Sequence, residues 1–229
     1  MIKWVKHIAC MMVLFLGFQV QAQNDSLRLH FNLTFNRVPL KSEHWYVSAQ
    51  QDSIQLQTLK FYVSDLEIEF TDNSKLKALK QHHLVDWSEA ESLQLTVGKA
   101  YPKKIKQISF NVGVDSLSSV SGALGGDLDP TRGMYWAWQS GYINFKIEGK
   151  CPKLTSRKNQ FQYHIGGYAA PYNALRKIVY QPSEQNPTQI NVDVAAFFNQ
   201  LKLTDFSSVM MPGKRAMKLA DDAVLMFSP

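Results

Sequence analysis

The residues with the most chemical potential fall in two runs. The first is Phe161-Gln162-Tyr163-His164-Ile165-Gly166-Gly167. In an extended chain His164 points away from Phe161, Tyr163 and Ile165, toward the polar or cavity side. Neutral imidazole is a good ligand for copper and zinc. The plainer alternative is a structural histidine satisfied by hydrogen bonds. The second run is Gly125 to Gly149, GGDLDPTRGMYWAWQSGYINFKIEG, which crowds Tyr135, Trp136, Trp138 and Tyr142 together. Tyr and Trp join an apolar body to one polar atom, so they suit a ligand wall or the wet edge of a core. Two readings stay open for this block. It is a packed aromatic corner, or it is a binding platform on which flat sugar rings stack.

The remaining candidates are scattered. His30 shares its strand's polar face with Arg28 and Asn32, and it meets His164 only if the two strands are neighbours. His82 and His83 point to opposite sides of any strand, and the Lys-rich stretch before them suggests a solvated turn. His44 stands beside Trp45 and Tyr46. Met210, Met211 and Met217 carry thioethers able to hold Cu(I), but core filling is the expected role. The signatures GxSxG, HExxH, CxxC and the P-loop are absent. The Gly-containing stretch 122–126 lacks the spacing of a phosphate loop. No catalytic residue is assigned, and the chain is not expected to be an enzyme.

The elements that must position these residues read as strands. Leu27, Leu29, Phe31, Leu33 and Phe35 alternate with polar residues. Between Gln55 and Phe70 two alternating stretches differ in phase, and the slip at Ser64-Asp65 predicts a bulge or break. Further strands are expected around Leu93 to Val97, Ile108 to Val114, Gly141 to Gly149, Gln160 to Ile165 and Ile190 to Val194. Two stretches change to the helical period. They are Val194, Phe197, Phe198 and Leu201, with Asp193 as a cap, and Ala216 through Phe227 after Pro212-Gly213. Many short strands with turn signals between them predict an all-β, antiparallel β-sandwich with one or two short helices near the C-terminus.

Composition sets the outer bounds. The 229 residues carry 25 Lys and Arg against 19 Asp and Glu, a net charge of +6. The basic residues lie in small groups near turns rather than in one stripe, which argues against a nucleic-acid partner. With 12% aromatic residues the chain is too apolar for disorder. Residues 1–22 read as a secretory signal peptide, with Lys3 and Lys6 ahead of an apolar run and Val20-Gln21-Ala22 as the cleavage site. The run is shorter than a spanning helix needs, so no stable membrane anchor is expected after cleavage. The remainder, residues 23–229, reads as a single exported domain, periplasmic or secreted. Removal of the leader also removes Cys10 and leaves Cys151 alone, expected to be buried. Thiolate clusters are thereby excluded as a metal site.

Several segments resemble the copper-binding MbnP-like family. Leu59-Lys60-Phe61-Tyr62-Val63-Ser64-Asp65-Leu66 resembles its KFYVS motif, and His83-Leu84-Val85-Asp86 falls at its hydrophobic-Val-Asp position. Phe110 to Asp115 matches its F-x-hydrophobic-G-V-D element. Asp129-Pro130, Gly133-Met134-Tyr135-Trp136-Ala137-Trp138, Gly141-Tyr142 and Lys146-x-Glu148-Gly149 match its central signature. The segment 161–167 matches the next, and Met211-Pro212-Gly213 with Ala220-Asp221 resembles the C-terminal one. The resemblance implies an exported, mostly β protein that binds copper. Some members are partnered by a MauG-like di-haem peroxidase, which oxidises a Trp of the binding protein to kynurenine. On that likeness His164 is the foremost ligand candidate, and either Trp136 or Trp138 is the modified residue. One His does not hold copper tightly, so a second ligand is required. Many members carry extra His near the chain termini. Here the last residues, Met226 to Pro229, hold none, and His30 is the early candidate beside His44. The competing expectation is a β-sandwich module that binds carbohydrate or another ligand through the aromatic block, without metal.

Overall fold

The structure, a computed structural model, describes residues 26–99, 102–139 and 141–227. The expected signal peptide, residues 1–22, lies outside them. The alternation at the start of the domain becomes the strand Ser26–Phe35, with Leu29, Phe31, Leu33 and Phe35 buried and Arg28 and His30 exposed. This strand organises a small sheet. It pairs with Gln189–Asp193, Gln94–Lys99 and Val38–Pro39.

The large sheet is built on one long strand, Ser53–Phe70. Gly141–Lys150 pairs with its first half, and Ile105–Val112 with its second. Gln160–Gly166 lies outside Gly141–Lys150, and Arg176–Tyr180 outside Ile105–Val112. Short strands at Trp45–Val47, Lys75–Lys77 and His82–Asp86 also pair with the long strand. The phase slip in the sequence is a real irregularity. The ladder to Ile105–Val112 shifts between Ser64 and Glu67, and Asp65 has φ +48°. One extra residue reverses which face the following side chains take. Tyr62 therefore faces outward while Leu66, Ile68 and Phe70 still reach the main core.

The two sheets face each other across that core. Phe31 of the small sheet lies 5.9 Å from Phe61 and 6.5 Å from Phe110 of the large one, ring centroid to centroid. Phe227 adds edge contacts at 5.5 Å to both Phe61 and Phe110. Each such fully buried ring contributes roughly 2–3 kcal/mol of transfer free energy. Cys151 is fully buried in the same core and makes no disulfide. Two of the three α-helices among the described residues are those the periodicity predicts, Val194–Phe198 and Lys214–Val224. The Asp193 side chain accepts from the Ala195 N–H, as a cap should. A third, Ser116–Val120, lies mid-chain and is capped by Asp115. Among the described residues two pairings are parallel, Ser26–Phe35 with Gln189–Asp193 and Gln160–Gly166 with Ser208–Val209. Both join segments distant in sequence, so local turn signals do not announce them.

Candidate functional site

The outer face of the large sheet is not simply solvated. The chain between Gly113 and Trp136 folds back across it and forms a second, smaller core. Tyr62, Leu84, Val114, Leu128, Met134, Trp136, Tyr142 and Ile143 pack together there. Polar side chains of the sheet hold this cover in place. Ser64 Oγ donates to the Gly113 carbonyl at 2.7 Å, Lys60 Nζ to the Arg132 carbonyl at 3.3 Å, and Lys146 Nζ to the Gly133 carbonyl at 3.3 Å. A face that reads as polar along each strand is thus largely closed from water.

His164 lies on this face, opposite the buried Tyr163 and Ile165, as its strand phase requires. Only 7% of it is exposed. Its Nε2 is 2.6 Å from Oε1 of Glu148, a diagonal neighbour on Gly141–Lys150. An ionised carboxylate only accepts, so Nε2 carries the proton. The other carboxylate oxygen, Oε2, accepts from Thr58 Oγ1 at 2.9 Å, and Lys146 Nζ stands 3.8 Å from Oε1. The hydrogen bond from His164, with help from Lys146 and Thr58, holds the Glu148 carboxyl at about 2 against the opposing effect of burial. Nδ1 of His164 forms no hydrogen bond within the described residues. Its lone pair is left for another partner. A ring fixed by a carboxylate on one nitrogen and open on the other is how metal-binding imidazoles are commonly oriented. Glu148 is therefore a candidate site residue that the sequence reading passed over, although it sits in the Lys146-x-Glu148-Gly149 signature.

The aromatic block divides in two. Tyr142 is buried, and its hydroxyl donates to the Gly122 carbonyl at 3.2 Å and accepts from the Leu124 N–H at 2.9 Å. Its ring meets Tyr62 and Tyr135 edge-on at 6.0 and 5.0 Å. These residues make a packed corner. Trp136 is also buried and lies over Gly166, where an added Cβ would come within 2.8 Å of its ring. Gly166 and His164 share a face two positions apart, a step of about 7 Å. The indole therefore lies on the imidazole's side of the sheet. Trp136 Nε1 is buried and has no hydrogen-bond partner, a rare condition for a strong donor. Trp138 is 64% exposed, with its ring 5.8 Å from that of Trp136. Beside them Trp136, Tyr168, Tyr172 and Pro212 line a cleft of about 160 Å³. Small-molecule sites generally enclose about 300 Å³ or more, so this cleft is small for a sugar chain.

The other sequence candidates lie elsewhere. His30 is exposed on the small sheet, whereas His164 belongs to the large one. Their strands are not neighbours, so the paired-ligand expectation for His30 and His164 finds no support in the topology. His82 and His83 do not form a solvated turn. Both are buried in the strand His82–Asp86, because the 113–136 cover supplies their partners. His82 Nε2 is 3.1 Å from Asp115, and His83 Nδ1 is 3.5 Å from Asp127. On its other side His83 Nε2 donates to the Ser92 carbonyl at 2.7 Å. Burial pushes the His83 pKa below its ordinary value. His44 is exposed and packs edge-on against Tyr46. Met210 and Met211 do not fill the core. They are 41% and 61% exposed, because the strand Ser208–Val209 ends just before them. Among the described residues no group of three or more His, Cys, Asp or Glu side chains is arranged to hold a metal ion. Copper would have to draw on other donors beside His164.

The comparisons agree with this architecture. A family model described as MbnP matches residues 24–211. The solved structure of MbnP from Methylosinus trichosporium superimposes with a TM-score of 0.59 at 15% sequence identity, covering 82% of this chain and 81% of that one. At that identity the likeness carries the fold alone. No curated protein matches.

Proposed function

The chain belongs to the MbnP family, and on that premise we propose that it is an exported copper-binding protein, not itself an enzyme, with His164 as its central ligand. The observation that carries the proposal is the His164–Glu148 pair. Glu148 fixes the tautomer and orientation of the ring, so that Nδ1 offers a lone pair without further ordering. The donor chemistry suits copper. Imidazole is a good copper ligand, and no thiolate competes, since Cys151 is sealed in the main core. Bound copper would be carried rather than used for catalysis.

Of the two tryptophans, Trp136 is the better choice for oxidative modification. It lies on the face of His164, and its N–H is buried without a partner. A di-haem peroxidase partner would supply the oxidising equivalents and peroxide the oxygen. The indole C2–C3 bond breaks, two oxygen atoms are added, and hydrolysis releases C2 as formate. The aryl amine and ketone left behind replace a non-coordinating indole with two donor groups.

Two measurements on protein from its native source test this reading. Copper analysis after saturation and gentle washing should find bound metal in wild type and loss in His164→Ala. Peptide mass spectrometry should find the Trp136 peptide one carbon lighter and one oxygen heavier per modified residue. No retained copper, with His164→Ala indistinguishable from wild type, would reject the proposal. An unmodified Trp136 peptide would remove the peroxidase step. A shift of Trp fluorescence by soluble polysaccharide, abolished in Trp138→Ala, would instead favour a carbohydrate-binding module.

A further inference from the structure

His164 needs another ligand, and the chain beside it offers a thioether. The strand Ser208–Val209 runs parallel to Gln160–Gly166, in the register Gln162 with Ser208 and Tyr163 with Val209. The next residues along the two chains are His164 and Met210. The segments stay together beyond that point, because a Cβ on Gly167 would lie 3.0 Å from Pro212 Cβ. Met210 is thus bracketed between two contacts to the strand of His164. Neighbouring strands are about 4.8 Å apart, so side chains on one face of such a pair are within ligand-sharing reach. The phase is right as well. Tyr163 and Val209 are both buried in the main core, and in an extended chain the next side chain points to the opposite face. Met210 is 41% exposed at a position where core packing gives no reason for a thioether.

We propose that Met210 supplies a thioether sulfur to a copper ion held by Nδ1 of His164, so that the site selects Cu(I). This inference rests on the copper reading given above. One imidazole and one thioether form a soft, low-coordinate set that matches Cu(I), whereas Cu(II) prefers tetragonal nitrogen and oxygen donors. The arrangement also answers the absence of a second histidine near His164. Among the described residues, His30 lies on a strand of the other sheet, His44 just before the strand Trp45–Val47, and His82 and His83 are occupied by Asp115 and by Ser92 and Asp127.

The test is Cu(I) competition against the chromophoric chelator bicinchoninate, under reducing conditions, with the full mature chain. Wild type is compared with Met210→Leu, Met211→Leu and His164→Ala. Leu keeps the bulk of Met at an exposed position, so folding is retained, and circular dichroism checks it. Met210→Leu should weaken Cu(I) binding by roughly tenfold or more, and Met211→Leu should not change it. Cu(I) should also protect Met210 from sulfoxidation by dilute peroxide, read by peptide mass spectrometry. Unchanged affinity in Met210→Leu together with a loss in His164→Ala would overturn the thioether assignment and leave the copper reading intact. Unchanged affinity in all three variants would overturn both.

Discussion

His164 Nε2 and Glu148 Oε1 stand 2.6 Å apart, bridging two antiparallel strands on the outer face of the large sheet. The pair couples stability to the proposed binding chemistry, because one carboxylate serves both. Replacing Glu148 with Gln keeps the shape and removes the charge. Glu148→Gln should weaken copper binding by about tenfold, by loosening the ring's orientation. It should also cost about 1–3 kcal/mol of stability. Chelator competition and urea unfolding measure the two effects. Equal affinities in Gln and Glu forms would mean that the carboxylate does not orient the ligand.

The same carboxylate gives the fold an acid limit. Its pKa is depressed from 4.5 to about 2 in the folded chain. A depressed carboxylate adds stability above its unfolded pKa and loses it as pH falls through the folded one. Between pH 5 and 2 wild type should lose up to about 3 kcal/mol from this group. Urea midpoints at steps across that range should fall more steeply in wild type than in Glu148→Gln. Parallel curves would contradict the assignment.

His83 acts in a separate, higher window. Burial lowers its pKa, so the unfolded chain takes up the proton before the folded chain does. Stability therefore decreases as pH falls below about 6.5, the ordinary value, and is level above it. His83→Gln should flatten the curve between pH 6.5 and 5 while leaving the lower window of Glu148 in place. A wild-type curve already flat through pH 6 would show that His83 titrates normally.

Gly166 is required by what lies above it. An added Cβ would come within 2.5 Å of the Tyr142 carbonyl oxygen and 2.8 Å of the Trp136 ring. Backbone cannot yield as a flexible side chain can. Gly166→Ala should cost about 1–3 kcal/mol and change the near-ultraviolet circular dichroism of Trp136. A wild-type midpoint in this variant would mean that the indole is not seated on the glycine.

Asp65 marks the bulge. Its φ of +48° falls in the left-handed region, which Asp tolerates and β-branched residues resist. Its ion pair with Lys77 is long at 3.8 Å and exposed on both sides. Asp65→Gly should stay within about 0.5 kcal/mol of wild type, and Asp65→Val should lose about 1–2 kcal/mol. Thermal unfolding distinguishes them.

Much of this architecture was legible in the chain. The buried Leu29, Phe31, Leu33 and Phe35, the phase slip near Asp65, the helical stripe through Leu219 and the burial of Cys151 follow from local patterning. Periodicity of side chains is set by backbone geometry, and burial follows polarity. His82 and His83, where the sequence suggests a turn, form a buried strand, and Met210 and Met211, expected in the core, are exposed, for one reason. Local polarity does not reveal whether a distant loop will cover a strand or a partner strand will stop short.

The sequence alone determined the principal strands, the face on which His164 stands, the crowding of Trp136 and Trp138, and the absence of thiolate clusters. These depend on residue order over short distances. Tertiary structure alone decided what His164 meets. It brought Glu148 to one nitrogen, left the other open, seated Trp136 over Gly166, and paired the strand of His164 in parallel with the strand that ends one residue before Met210. It also kept His30 on another sheet. Strand register and loop closure join residues far apart in sequence, and no local pattern encodes which of them become neighbours.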